Sequence, residues 1–181
     1  MAWSVPLSAV SSSALTAAQW NSTVRDNLLE TAPAKATTAN RIFVTTGANS
    51  IAERQVGSAT IITAHTTNST TWTDLSVVGP TVTITTGTTV LVTLSALMSN
   101  NTAGANAQMG VAVSGASTVA ANTDDAVIVE SSQAGDLYQV SYMFPITGLT
   151  AGVNTFTAKY QVGVGGTGTF QRRRVIVLPF G

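Results

Sequence analysis

The chain has 181 residues, room for one compact domain plus an arm. Only 9% of them are charged, eight basic against eight acidic, where an ordinary globular protein carries about 25%. The absence of cysteine excludes disulfides and thiolate metal sites, and zero net charge argues against nucleic acid as the main partner, since phosphate binding needs clustered positive charge.

Charge this sparse leaves the exposed faces to Thr, Ser, Asn and Gly, or to burial against other subunits as in ordered arrays and fibres. A secreted monomer with a neutral polar surface is the plainer alternative. The first basic residue is Arg25, so the charged start of a signal peptide is not expected. No apolar run approaches the roughly 20 residues of a membrane span, so no membrane partner is expected. Asn21, Asn68 and Asn100 begin Asn-x-Ser/Thr triplets, which a Ser/Thr-rich chain produces by chance.

Taken in order, residues 1–57 read as an arm. Met1 to Ser12, with Trp3, Val5, Pro6 and Leu7, reads as an extended anchoring segment. A helix follows from about Ser13 to Thr31. Thr16 and Gln19 have the spacing of a capping box, in which each side chain satisfies a free amide at the helix start. Ala17, Trp20, Val24 and Leu28 then recur at helical spacing as one narrow apolar stripe. A single short helix with such a stripe is marginal alone in water, so it is expected to pack on something. Pro33 cannot continue the helix and favours an extended Ala32. Lys35 to Asn40 reads as a linker, and Phe43 and Val44 before Gly47 as a short strand and turn.

From about Ser58 the apolar period changes to two. Ala59–Ala64, Thr81–Thr85, Val90–Leu94, Asn106–Ser114, Ala126–Glu130, Leu137–Phe144, Asn154–Gln161 and Phe170–Leu178 read as strands separated by Gly- and Pro-bearing turns. About eight strands with no helix between them predict a mainly β fold, an antiparallel β-sandwich of jelly-roll type over residues 58–181. Within Thr81–Thr85, Val82 and Ile84 are expected inward and the threonines outward.

The chemistry-bearing residues are few. His65 is the only histidine, which rules out a multi-histidine metal site within one chain. Asp124 and Asp125 with Glu130 form the densest acidic patch, but the alternating ligands of a calcium loop are absent. Gly163–Gly168 lacks the Gly-Lys-Ser/Thr ending of a phosphate loop and reads as a hairpin loop. Arg172, Arg173 and Arg174 are the only basic cluster. On a strand, Arg172 and Arg174 share one face and Arg173 the other; pairing with Asp124, Asp125 or Asp136, within the subunit or across an interface, suits arginine's fork. Trp72, Tyr138, Tyr142 and Tyr160 could line a sugar-binding face, with Trp72 and Tyr138 the foremost glycan contacts; strand aromatics more commonly pack in cores. None of these groups assembles into a catalytic arrangement, and no cofactor is implied.

Three segments resemble a known family. Leu15-Thr16-Ala17-Ala18-Gln19-Trp20-Asn21 with Val24-Arg25-Asp26-Asn27-Leu28-Leu29 is similar to the opening of small structural proteins of tailed bacteriophages, mostly of actinobacterial hosts, known as minor tail or virion proteins. Arg41 to Arg54 resembles the short repeated segments of phage fibres, and Leu149 to Pro179 the last strands of the β domain in the same proteins. The resemblance implies a non-enzymatic protein of the virion surface whose partners are other virion proteins, either tail components or the major capsid protein. The narrow stripe and low charge add the expectation of a homotrimer. In it Trp3, Trp20, Val24 and Leu28 serve oligomerisation and docking, the arginines and Asp124 and Asp125 pair between subunits, and neutral Thr-rich sandwich faces meet. A minor tail or short fibre component is the first expectation. A capsid decoration protein gripping three-fold sites is the second, and a carbohydrate-binding module for host-surface glycan is a reading of a different class.

Overall fold

The computed structural model describes residues 5, 7, 8 and 11–180. Trp3, expected in the anchoring segment, lies outside the described residues.

The arm begins with a helical run of three consecutive pieces: α1 (Ala17–Trp20), a π-helical turn (Asn21–Arg25) and α2 (Asp26–Leu29). The expected capping box is present, with Thr16 Oγ1 accepting from Gln19 N at 3.2 Å and Gln19 Oε1 accepting from Thr16 N at 2.9 Å. Because Thr16 caps the run, helix starts later than the expected Ser13. The π turn was not legible in the stripe. Ser22 and Thr23 both donate their hydroxyls to the Gln19 carbonyl, competing with the backbone donor and widening the turn.

Pro33 corrects the expectation of an extended Ala32. Thr31 is extended and caps a fresh turn, α3 (Ala32–Lys35), with the proline in its first turn, where a missing N–H costs nothing. Beyond it, Glu53 accepts from Thr37 Oγ1 at 3.0 Å and Thr38 N at 3.2 Å, tying the linker to a hairpin of β1 (Ile42–Gly47) and β2 (Ser50–Arg54). Asn49, at φ +53°, turns the hairpin.

All eight expected strands form. They are β3 (Gly57–Ile61), β5 (Thr81–Thr86), β6 (Thr89–Asn100), β7 (Asn106–Gly115), β8 (Val127–Glu130), β9 (Tyr138–Thr147), β10 (Gly152–Val162) and β11 (Gly168–Pro179). A short β4 (His65–Thr67), carrying the lone histidine, adds to β11 and was not expected. One sheet runs β3-β11-β6-β9 and the other β5-β10-β7-β8, all antiparallel. Leaving β4 aside, the first sheet holds the first, last, third and sixth strands in chain order, and the second holds the rest. This is the double Greek-key wrapping of a jelly roll.

The core lies between the sheets. Val90, Val92, Leu94, Ala96 and Met98 alternate inward along β6 and meet Met109, Val111 and Val113 of β7 and Phe156 of β10. Each of these valine, leucine, methionine and phenylalanine side chains stabilises the fold by about 1.5–3 kcal/mol relative to exposure. Val82 and Ile84 are buried and Thr81, Thr83 and Thr85 exposed, as the alternation of β5 predicts.

Candidate interaction surfaces

The residues expected to carry function are scattered over the arm and both sheets. On the arm, Trp20 and Leu28 are exposed by 54% and 59%, and Val24 is half-buried. Among the described residues nothing covers the apolar stripe, although the π turn offsets Val24 and Leu28 from the line of Ala17 and Trp20.

The arginine cluster sits where β11 carries a bulge between Gln171 and Arg174, with Arg172 at φ +49°. The bulge keeps Gln171 and Arg172 both off the core and turns Arg173 inward. Arg172 and Arg174 are exposed, as expected. Arg173 is not an intersubunit residue: it is completely buried inside the sandwich. Its Nη1 faces the carbonyls of Val77 at 3.4 Å and Gly79 at 3.2 Å, and its Nη2 that of Thr63 at 3.5 Å. The guanidinium carbon lies 5.4 Å from the centroid of the Tyr160 ring, a cation–π contact out of reach of water. Tyr160 donates to the Gly79 carbonyl at 2.7 Å; burial pushes its phenol far above the ordinary range, against the opposing pull of Arg173. Arg173 thus fastens the 63–79 connection over the sandwich with carbonyl dipoles and an aromatic face instead of a carboxylate.

Asp124 and Asp125 lie in the loop before β8. Asp125 closes a turn by accepting from Asn122 Nδ2 at 3.1 Å, while its N–H donates to Asn122 Oδ1 at 2.9 Å. Among the described residues, neither aspartate forms an ion pair within the chain, and neither do Arg172 or Arg174. The pairs that do form are Arg25–Asp26, Lys35–Glu30 and Lys159–Asp74. Asp124 borders an open hollow of about 420 Å³ at the mouth of the sandwich, with Val127 and Ile128 of β8 and Val140, Ser141 and Tyr142 of β9. The hollow exists because β8 has only four residues and leaves the inner side of β9 uncovered at Tyr138 and Tyr142.

The structure separates the two foremost glycan contacts. Trp72 packs over Gly110 on the outer face of the β5-β10-β7-β8 sheet, where a Cβ on Gly110 would come within 3.0 Å of the indole. Tyr138 is on the edge strand of the other sheet, its hydroxyl 3.1 Å from Ser132 Oγ and 3.3 Å from Asp136 Oδ2. Tyr160 is core, so no aromatic row of the expected kind exists. His65 bonds Ser76 Oγ at 2.7 Å and Thr63 Oγ1 at 3.2 Å. The glycine-rich run Gly163–Gly168, expected as a hairpin loop, instead carries the chain from one sheet to the other, since β10 and β11 belong to opposite sheets and do not pair. No group of three or more metal-ligating side chains gathers among the described residues.

Asp136 offers a pH handle on the β8–β9 connection. The Ser132 hydroxyl at 2.8 Å, then the Gln133 amide at 3.0 Å and the Tyr138 hydroxyl, hold its carboxyl below its ordinary value. A depressed folded-state value gives stability that is present above the unfolded value near 3.8 and is lost as pH falls through the lower folded one. We expect Asp136→Asn to flatten the fall in melting temperature between about pH 5 and pH 2. Parallel acid melts of the wild type and variant check this; identical slopes would exclude the effect.

No family model matches the chain, and no curated protein matches it in sequence. Among solved structures, it is similar to VP2 of infectious bursal disease virus, from its subviral particle, with a TM-score of 0.52 at 11% identity over 80% of this chain. The chain spans only 41% of that VP2 chain. Eiger TNF of S. frugiperda is a further neighbour, with a TM-score of 0.48 at 8% identity, over 70% of this chain and 92% of the other. At these identities the likeness concerns the fold.

Proposed function

We propose that this protein is a non-enzymatic structural protein of a tailed bacteriophage, a homotrimer whose arm docks on the particle and whose jelly roll is displayed at the virion surface as a minor tail or short fibre component. The observation that carries the reading is the bare apolar stripe of the arm helix, Trp20 and Leu28 exposed beside a half-buried Val24, in a chain with too little charge to solvate itself as ordinary monomers do. The family resemblance of that same segment supports the phage setting. The sparse acids, which gather only around Asp124 and Asp125 without a facing carboxylate across a groove, support a non-enzymatic role.

Capsid decoration is the second placement. The fold shared with VP2, a protein that forms a subviral particle, favours it. Gold labelling of intact virions with antibody raised against the whole chain separates the two. Label at the tail is the expected result; label across the head would move the protein to the capsid, and bare particles would refute surface display.

A further inference from the structure

The two sheets present outer faces of opposite character. On β5 and β10 the threonines satisfy one another, Thr83 with Thr155 at 2.9 Å and Thr81 with Thr157 at 3.3 Å, and Trp72 covers Gly110 beside them. This Thr-rich face thus has four of its threonines paired with one another and part of its area roofed. The outer face of β3-β11-β6-β9 is different. Leu91, Leu97, Ile176 and Leu178 lie on it half-exposed, set among serines and threonines, and its only charges are Arg172 and Arg174. It carries no carboxylate.

The side wall of the same sandwich has the complementary character. At the β8–β9 edge Ile128, Leu137, Tyr138 and Tyr142 are exposed by 37–55%, and the nearby charges are acidic: Asp124, Asp125 and Glu130. Strand β9 pairs only with β6, so its other edge offers a row of unsatisfied backbone groups. Among the described residues, Arg172 and Arg174 on the one surface and Asp124 and Asp125 on the other form no ion pair, although Arg174 Nε donates to Thr60 Oγ1 at 3.1 Å and Asp125 accepts from Asn122.

Their heights agree as well. Arg174 is in register with Ser95 of β6, and Ser95 with Ser141 of β9, the residue that borders the hollow beside Asp124. The base and the acid therefore stand at one level along the strand direction. Two unlike surfaces on one molecule make a head-to-tail contact, which closes into a ring when no translation accompanies the rotation and otherwise grows into a filament. For a rotation axis along the strands, matching levels are what the closed case requires.

We propose that the β8–β9 edge of one copy seats on the outer face of β3-β11-β6-β9 of the next, with Asp124 and Asp125 meeting Arg172 and Arg174, in a closed ring of identical chains. The proposal rests on the trimeric reading above and moves the contact away from the Thr-rich face. Its charges set the register while the leucines, isoleucines and tyrosines exclude water around them.

The test is the solution mass of the full chain by light scattering. The wild type should give about three times 18.5 kDa. R172D/R174D sets acid against acid and D124R/D125R base against base, so each should fall to the single-chain mass. The four substitutions combined reverse both sides and should restore the ring. Circular dichroism melts ensure that each variant is folded. A D124R/D125R variant that keeps the wild-type mass, or a quadruple variant that stays single, overturns the head-to-tail contact while leaving the trimer standing. A monomeric folded wild type overturns the trimer and this contact together.

Discussion

Replacing Arg173 by alanine is expected to lower the unfolding free energy by about 3–5 kcal/mol, the loss typical when a large, fully enclosed side chain is cut back to a methyl. The side chain is fully enclosed, so its removal leaves a cavity and takes a donor from the carbonyls of Thr63, Val77 and Gly79, of which Gly79 keeps the Tyr160 hydroxyl. Those contacts, at 3.2–3.5 Å, are long, and Arg173 Nε has no hydrogen-bond partner. The volume filled and the cation–π contact with Tyr160 therefore matter as much as any single bond. Tyr160→Phe keeps the ring, which also packs edge-on at 4.9 Å against Phe170, and loses the bond to Gly79 and the long contact from Arg173 Nη1 at 3.5 Å. It should cost about 1–2 kcal/mol. Urea denaturation of both single variants and the double variant measures their coupling. An Arg173→Ala midpoint equal to wild type would refute the clamp. A purely additive double variant would show that the arginine and the tyrosine act independently.

The second large effect is expected at Gly57, the first residue of β3. Any Cβ there would sit inside the contact distance of Val82 Cγ1 and only 3.0 Å from Ile84 Cγ2. β3 and β5 lie in opposite sheets, so this glycine is where the two sheets come closest at the entry to the sandwich. Gly57→Val must push the sheets apart or force both neighbours off rotamer, at a cost of about 3 kcal/mol, with Gly57→Ala falling between valine and wild type. Thermal melts of the two variants check the order. A valine variant as stable as wild type would mean that β3 can peel from β11 without loss.

How far the sequence discloses this protein depends on whether one local rule governs each segment. The strands of the sandwich follow from period-two alternation because each has one face on the core, and the jelly-roll class follows from their number and the absence of helices between them. The capping box was legible because both partners lie within one turn. What stayed hidden depended on competition between rules. The π turn arises where two hydroxyls outbid a backbone amide, and α3 forms because proline, forbidden inside a helix, suits its first turn.

Arg173 is the instructive miss. As one of three arginines it reads as surface charge, yet Arg173, Val175 and Val177 share one parity while Phe170 has the other. Within one strand that clash demands a bulge, and the bulge turns Arg173 to the core. The proposed pairing of Asp124 with the exposed arginines is foreseeable as chemistry. Their common level is not, because it emerges only from the registers of β11 on β6 and β6 on β9.

The register of β3 on β11 has a practical use. Gly57, where the arm hands over to the sandwich, pairs with Val177 near the end of β11, so the arm and the chain's last residues leave from the same pole. At the opposite pole the connections 101–105, 131–137 and 163–167 are stitched together by Gly104 N to Ser131 O at 2.8 Å, Gly135 N to Asn100 O at 2.8 Å and Asn101 N to Thr167 O at 3.1 Å. Val164 stands almost fully exposed there, and a Cβ on the neighbouring Gly165 would meet open space. A foreign peptide spliced beside Val164 would leave both the arm and the sheets untouched, and would sit on the pole turned away from whatever the arm grips, which makes this loop the natural place to mount an epitope or an affinity tag.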